Sequence, residues 1–205
     1  MFKNIIFDWS GVICDDTYAV YQADMEIFKA FGVKEISFEE FKREWEMPFM
    51  NFLHKYIPNL KIEEQEEIYH QAIVKFNQNK MFGNINQIIK KFFNHKVDLF
   101  IVSSDPGLLL KQMKLFDIDG LFKEVIYDVH NKTDSVRNLI EKYNLDLSQT
   151  IFIGDTNHEI ETSKIVGIKS GAVTWGTFDE DKLKLFKPDF IVHNLDELEN
   201  LILKK

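Results

Sequence analysis

A chain of 205 residues with 45% hydrophobic content is long enough for one substantial core and a smaller second one. Its formal charge of −8 argues against nucleic acid or an anionic membrane surface as the main partner, since both require a basic field. The single cysteine, Cys14, can form no internal disulfide, no apolar run approaches the ~20 residues that span a bilayer, and the opening MFKNIIFDW lacks a signal-peptide pattern, so cytoplasmic residence is the default expectation.

In chain order, KNIIFDW is a short apolar run that ends in Asp8 and meets Gly11, the pattern of a buried strand breaking into a turn. From 16 to 82 the pattern changes. TYAVYQADMEIFKAFG, SFEEFKREWEMPFMNFLHKY and IEEQEEIYHQAIVKFNQ are amphipathic helical stretches punctuated by Gly32 and Pro58, with no convincing buried strand among them. Beyond them the short runs VDLFIVSSD (97–105), EVIYD (124–128), TIFIGD (150–155), IKSGAVT (168–174) and DFIV (189–192) alternate with the helical patterns NINQIIKKFF, PGLLLKQMKLF, KTDSVRNLIEKY, TNHEIETSKIV and NLDELENLIL. Alternation of this kind predicts an α/β fold with a doubly wound parallel sheet, both faces covered. The core is therefore expected to be discontinuous, 1–15 with 83–205, interrupted by a helical insertion at 16–82. The 19 phenylalanines read as core rather than as a binding stripe.

Ligands of an open parallel sheet sit at the carboxyl ends of its strands. The polar residues expected there are Asp8, Ser103 with Ser104, and Asp155, with Glu159 one helical turn further on. Two carboxylates on neighbouring strand ends make the hard-oxygen site that magnesium prefers, and Lys132, at a helix start, could hold a phosphate charge. No His pair has zinc spacing. His158 is expected to be exposed on the first turn of its helix or to reach substrate, and His54 is a candidate general acid.

FDWSGV (7–12), FIVSS (100–104), Lys132 opening KTDSV, and IFIGDTNHEIETSKIVG (151–167) resemble, in order and spacing, the four motifs of the haloacid dehalogenase superfamily. The closing KPDFIVHNLDEL (187–198) resembles its phosphoglycolate phosphatase-like branch, whose helical cap the insertion matches in place and size. The resemblance implies a magnesium-dependent hydrolase of a small phosphorylated metabolite, a monomer or homodimer. It makes Asp8 the nucleophile and a metal ligand, the Ser10 carbonyl a second ligand and Asp155 a third, with Glu159 acting directly or through water. Ser103 and Ser104 would hold the phosphoryl group, and Lys132 would offset its charge.

Position 10 departs from that pattern. Phosphatases of the family carry Asp there, to protonate the leaving oxygen and later activate water, and a serine hydroxyl is too weak an acid to replace it. A slow phosphatase, a binding protein on the same scaffold, and an enzyme of different chemistry all remain open. DW-x-G also resembles phosphonoacetaldehyde hydrolase, but MPFMNFLHK (47–55) has Leu53 near the place of that family's Schiff-base lysine, with Lys55 close by.

Overall fold

The structure, a computed structural model, describes residues 1–129 and 131–203. The chain divides into two compact units, Met1–Asp15 with Met81–Lys205, and Asp16–Lys80.

The first unit is built on a six-stranded sheet, every neighbouring pair parallel, in the order β3-β2-β1-β4-β5-β6. Its strands are β1 (Asn4–Phe7), β2 (Asp98–Val102), β3 (Glu124–Ile126), β4 (Thr150–Gly154), β5 (Lys169–Val173) and β6 (Phe190–Val192). The strands are short apolar runs because both faces are buried. Ile5, Phe7, Ile101 and Ile153 face one cluster, with Ile89 and Phe92 of α5 (Ile85–Asn94), Met113 of α6 (Leu109–Leu115) and Leu198 of α10 (Leu195–Leu203). Ile6, Phe100 and Phe152 face the other, with Val136 and Leu139 of α7 (Lys132–Tyr143) and, partly buried, Val166 of α8 (Asn157–Val166). The chain runs from β1 outward through β2 to β3, then returns to place β4 on the other side of β1. Strand order reverses between β1 and β4, and the crevice at their carboxyl ends is where such sheets bind ligands. Pairing of Phe7 with Ile153 brings Asp8 level with the end of β4.

The second unit consists of α1 (Thr17–Ala30), α2 (Phe38–Glu44), α3 (Phe49–Tyr56) and α4 (Ile62–Phe76) around Phe28, Phe41, Phe52 and Leu53. The aromatic rings pack in specific pairs, Phe28 stacked on Phe52 at 6.1 Å and Phe41 edge-on to Phe52 at 5.5 Å. The long pattern SFEEFKREWEMPFMNFLHKY is two helices rather than one. Pro48 offers no amide hydrogen and holds the residue before it out of the helical region, so α2 ends at Glu44 and Pro48 caps α3. Met81 and Phe82 belong with the sheet unit: Met81 bridges to Cys14, and the Phe82 amide donates to the Ile13 carbonyl at 3.1 Å. An additional short helix, α9 (Glu180–Leu185), follows β5. Its signals are an N-cap at Asp179, acids in the first turn and lysines in the last, a charged pattern without the apolar period of its neighbours. No helix among the described residues is long and apolar enough to cross a membrane.

Candidate active site

Asp8 stands one residue beyond β1, where the sheet's hydrogen bonding continues through its amide to the Ile153 carbonyl at 2.9 Å. One carboxylate oxygen, Oδ1, accepts from the Trp9 amide at 2.7 Å, and Oδ2 lies 2.8 Å from the Lys132 ammonium. Lys132 is the first residue of α7, behind an Asn131 cap, and its Nζ also meets Glu159 Oε1 at 2.6 Å. Glu159 sits in the first turn of α8. That helix begins at Thr156, which accepts the His158 amide on its hydroxyl oxygen and donates its hydroxyl to Glu159 Oε2 at 2.8 Å. Asp155 ends the β4 segment and accepts from the Thr177 amide at 2.7 Å.

Asp8, Asp155 and Glu159 each offer a carboxylate oxygen within 4.8 Å of the others, and all three are buried. The Lys132 ammonium meets two of them, Asp8 and Glu159. Burial alone would push Lys132 down, but Asp8 and Glu159 outweigh it and hold the ammonium above its ordinary value, so it stays charged. Burial pushes Asp8 up to about 6 against the pull of Lys132, and the Glu159 charge adds to the rise. Glu159 lies below its usual range, because Lys132, with help from the Thr156 hydroxyl, overcomes its burial. Asp155 is left without a cation: burial, then Asp8 and Glu159, push it up to about 8 despite the Thr177 donors. Three buried carboxylates facing one ammonium form a hard-oxygen donor set with a deficit of positive charge, and this fits a magnesium ion.

Space for the acids is made by glycine. A side chain at Gly11, whose φ of +72° already favours glycine, would overlap the Asp155 carboxylate. One at Gly154 would overlap Glu159, and one at Gly176 would overlap Asp155.

The other residues singled out in the sequence fall as follows. Ser103 is fully buried just past β2, and its hydroxyl accepts from the Asp105 amide at 3.2 Å. Since Phe7 pairs with Ile101, Ser103 stands one position beyond the level of Asp8 on the adjacent strand. The Ser104 hydroxyl donates to the Val129 carbonyl at 2.8 Å, tying the turns after β2 and β3 together. Ser10 is half-buried in the turn after β1 and bridges to Cys14. His158 is mostly covered rather than exposed, because α8 packs its first turn inward; its Nδ1 is buried without a hydrogen-bond partner among the described residues, and burial with the nearby Lys132 pushes the ring down to about 4, keeping it neutral. In the helical unit the His54 ring contacts the Leu60 carbonyl at 2.9 Å, and Lys55 is a surface residue paired with Glu46 at 2.8 Å.

Thr156, Thr177 and the three glycines were not among the sequence candidates. Thr156 had a legible signal, because T-x-x-E before a helical run is a capping pattern. Thr177 had none, since its part is played largely by a backbone amide.

The haloacid dehalogenase-like hydrolase family model matches residues 5–173. The pyrophosphatase PpaX of Oceanobacillus iheyensis is 22% identical to this chain over 98% of it and 96% of that protein. Among solved structures, a haloacid dehalogenase-like family hydrolase from Streptococcus pneumoniae superposes with a TM-score of 0.81 at 21% identity, covering 96% of both chains. A predicted phosphoglycolate phosphatase from Haemophilus somnus gives 0.78 at 18% identity, covering 98% of this chain and 97% of that one.

Proposed function

The chain belongs to the haloacid dehalogenase-like hydrolases, and from that premise we propose that it is a magnesium-dependent phosphatase of a small phosphorylated metabolite, working through an aspartyl phosphate on Asp8. The observation that carries this reading is the set of Asp8, Asp155 and Glu159 oxygens within 4.8 Å of one another, two of the acids paired with the buried Lys132 ammonium, at the point where strand order reverses.

Asp8 attacks phosphorus, forming a bond from a carboxylate oxygen as the bond to the leaving oxygen breaks; water then cleaves the acyl phosphate and restores the carboxylate. The Trp9 amide and Lys132 fix the direction of the Asp8 side chain, so the attacking oxygen is positioned in advance. Lys132 offsets the charge gathered as carboxylate and phosphate approach, and Ser103 is assigned to the phosphoryl oxygens, the Ser104 hydroxyl being engaged with the Val129 carbonyl. Magnesium would be held by Asp8, Asp155, the Ser10 carbonyl and, directly or through water, Glu159, and when bound it supplies neutralising charge to the phosphoryl oxygens. The helical unit Asp16–Lys80, by its place in the chain after β1, is assigned the role of a cap that selects the substrate.

Ser10 bears on the substrate. Without a carboxylic acid at this position, leaving groups that depart unprotonated are favoured. Inorganic phosphate leaving from pyrophosphate is one, which agrees with the name of the curated relative. The test is phosphate release from a panel containing pyrophosphate, an aryl phosphate and alkyl phosphates, with magnesium and with chelator, on the unaltered protein and Asp8→Asn. Magnesium-dependent release that vanishes in Asp8→Asn supports the reading. Binding of phosphorylated compounds with no release from any of them would make the chain a binding protein on a phosphatase scaffold.

A further inference from the structure

The turn after β5, residues 174–177, carries none of the roles assigned above, yet it meets Asp155 from several directions. The Thr177 amide donates to Asp155 Oδ2 at 2.7 Å, and the Thr177 hydroxyl bonds the same carboxylate. Next along the chain, the Phe178 amide donates to the Asp155 carbonyl at 3.4 Å. Gly176 lies so near that a Cβ built on it would overlap the Asp155 side chain and stand 2.5 Å from the Gly11 carbonyl oxygen. Trp175 reaches the opposite way: its indole Nε1 donates to the Val12 carbonyl at 3.2 Å, and its ring lies 6.4 Å from that of Phe82. The turn is itself held firmly, because Val173 is paired with Val192 and the Thr174 amide donates to the Val192 carbonyl at 3.0 Å.

One short segment thus grips both the strand end that carries Asp155 and the turn that carries Ser10, Gly11 and Val12. Oδ2 of Asp155 is tucked between Gly11 and Gly176 and accepts from the Thr177 amide, while the carboxylate keeps an oxygen within 4.8 Å of oxygens of Asp8 and Glu159. We propose that the 174–177 turn is a positioning element of the metal site, in which Gly176 and Thr177 set the orientation of the Asp155 carboxylate toward the oxygens of Asp8 and Glu159. The proposal rests on the reading of Asp8, Asp155 and Glu159 as a magnesium site. Groups that orient a metal ligand are worth about 10- to 100-fold in metal affinity, so their loss is measurable without any turnover.

The experiment is magnesium titration calorimetry on the full chain, with thermal unfolding in parallel. The variants are Gly176→Ala, Thr177→Val, which keeps shape and amide but loses the hydroxyl, and Gly120→Ala, a control whose surroundings are open within 4 Å although its φ is +78°. Gly176→Ala is expected to bind magnesium at least about tenfold more weakly, and Thr177→Val about threefold or more, while Gly120→Ala loses stability only. In turnover, both site variants should need more magnesium for half-activation while, at saturating magnesium, the KM for the phosphate compound stays unchanged. A folded Thr177→Val and a folded Gly176→Ala that bind magnesium as the unaltered protein does would overturn the positioning role and leave the metal site standing. If the unaltered protein binds no magnesium, or Asp155→Ala binds it equally well, the site reading fails and the turn's role fails with it. Should Gly176→Ala not fold, Thr177→Val decides.

Discussion

Replacing Lys132 by Met keeps the aliphatic stem and removes the one ammonium from the cluster, leaving Asp8 and Glu159 without the partners now at 2.8 and 2.6 Å. Both acids are buried, as is the lysine, so water does not screen the loss. Removing one member of a buried pair costs about 3–5 kcal/mol, a large share of the roughly 5–15 kcal/mol that holds a domain folded. The pH dependence follows from the direction of the shifts. Lys132 lowers both carboxyls; without it Asp8, already raised, rises further, and Glu159, now held below its usual value, is pushed above it by burial, and a raised carboxyl contributes stability that is lost as pH climbs from the unfolded value, near 4, toward the folded value. The deficit of Lys132→Met should therefore be small near pH 4.5, where the acids can take protons, and reach the full range by pH 8. Millimolar magnesium should recover part of it, since a ligand of the folded state stabilises by mass action. Urea unfolding at the two pH values, with and without magnesium, measures all three quantities. A variant as stable as the unaltered protein at pH 8 in chelator would refute the idea that Lys132 is the counter-ion of this cluster.

Ser10→Asp should raise turnover of alkyl phosphates by at least about tenfold, a modest figure beside the usual worth of a general acid–base residue, and should matter less for an activated aryl phosphate. A folded, magnesium-binding variant that gains on neither substrate would rule out the slow-phosphatase mechanism. Asp24 is fully buried on α1, and burial pushes it up to about 8 against the Trp45 indole, so it weakens the fold progressively as pH rises from about 4 to about 8. Asp24→Asn should therefore match the unaltered protein near pH 4 and exceed it at pH 8 by up to about 5 kcal/mol, and a pH-independent difference in chemical denaturation would sink this account. Phe52→Ala empties the centre of the helical unit, where Phe28 and Phe41 meet Phe52, and should cost about 3–5 kcal/mol in chemical unfolding; a loss below about 1 kcal/mol would mean that the cluster closes over the gap.

The sheet was legible because its strands are apolar runs ended by polar residues. The same punctuation exposed Asp8, Ser103 and Asp155, since an acid that closes a buried run has few structural reasons to be there. Lys132 and Glu159 were legible as motif positions, but their direct contact was not: it depends on the packing of α7 against α8, which periodicity does not encode. The division of one amphipathic stretch into α2 and α3 turned on Pro48, a single residue inside an otherwise continuous helical period. Least legible were Gly11, Gly154 and Gly176. Their contribution is absent volume, and a reading that looks for side chains able to do chemistry passes over residues whose use is to have none.

The electrostatics of the cluster constrain the order in which the proposed reaction is assembled. A phosphorylated compound is itself an anion, and the site already holds three carboxylates to one ammonium, with Asp155 pushed up to about 8 by burial and by its acidic neighbours. On the proposed reading, phosphate entering that crevice alone meets repulsion in a low-dielectric setting, where an unpaired charge is costly. A divalent cation removes the repulsion and returns Asp155 to its ionised form, so magnesium and phosphate must each strengthen the binding of the other. Ser10 sharpens the same constraint. If position 10 serves the site as proposed, an Asp there would add a further acid to it, and serine in its place would lessen the repulsion at the cost of the proton the leaving group would have received. On the proposed reading, substrates whose leaving groups need no proton would suffer least from that exchange, and for this reason the anhydride bond of pyrophosphate would be better matched to the site than an alkyl ester.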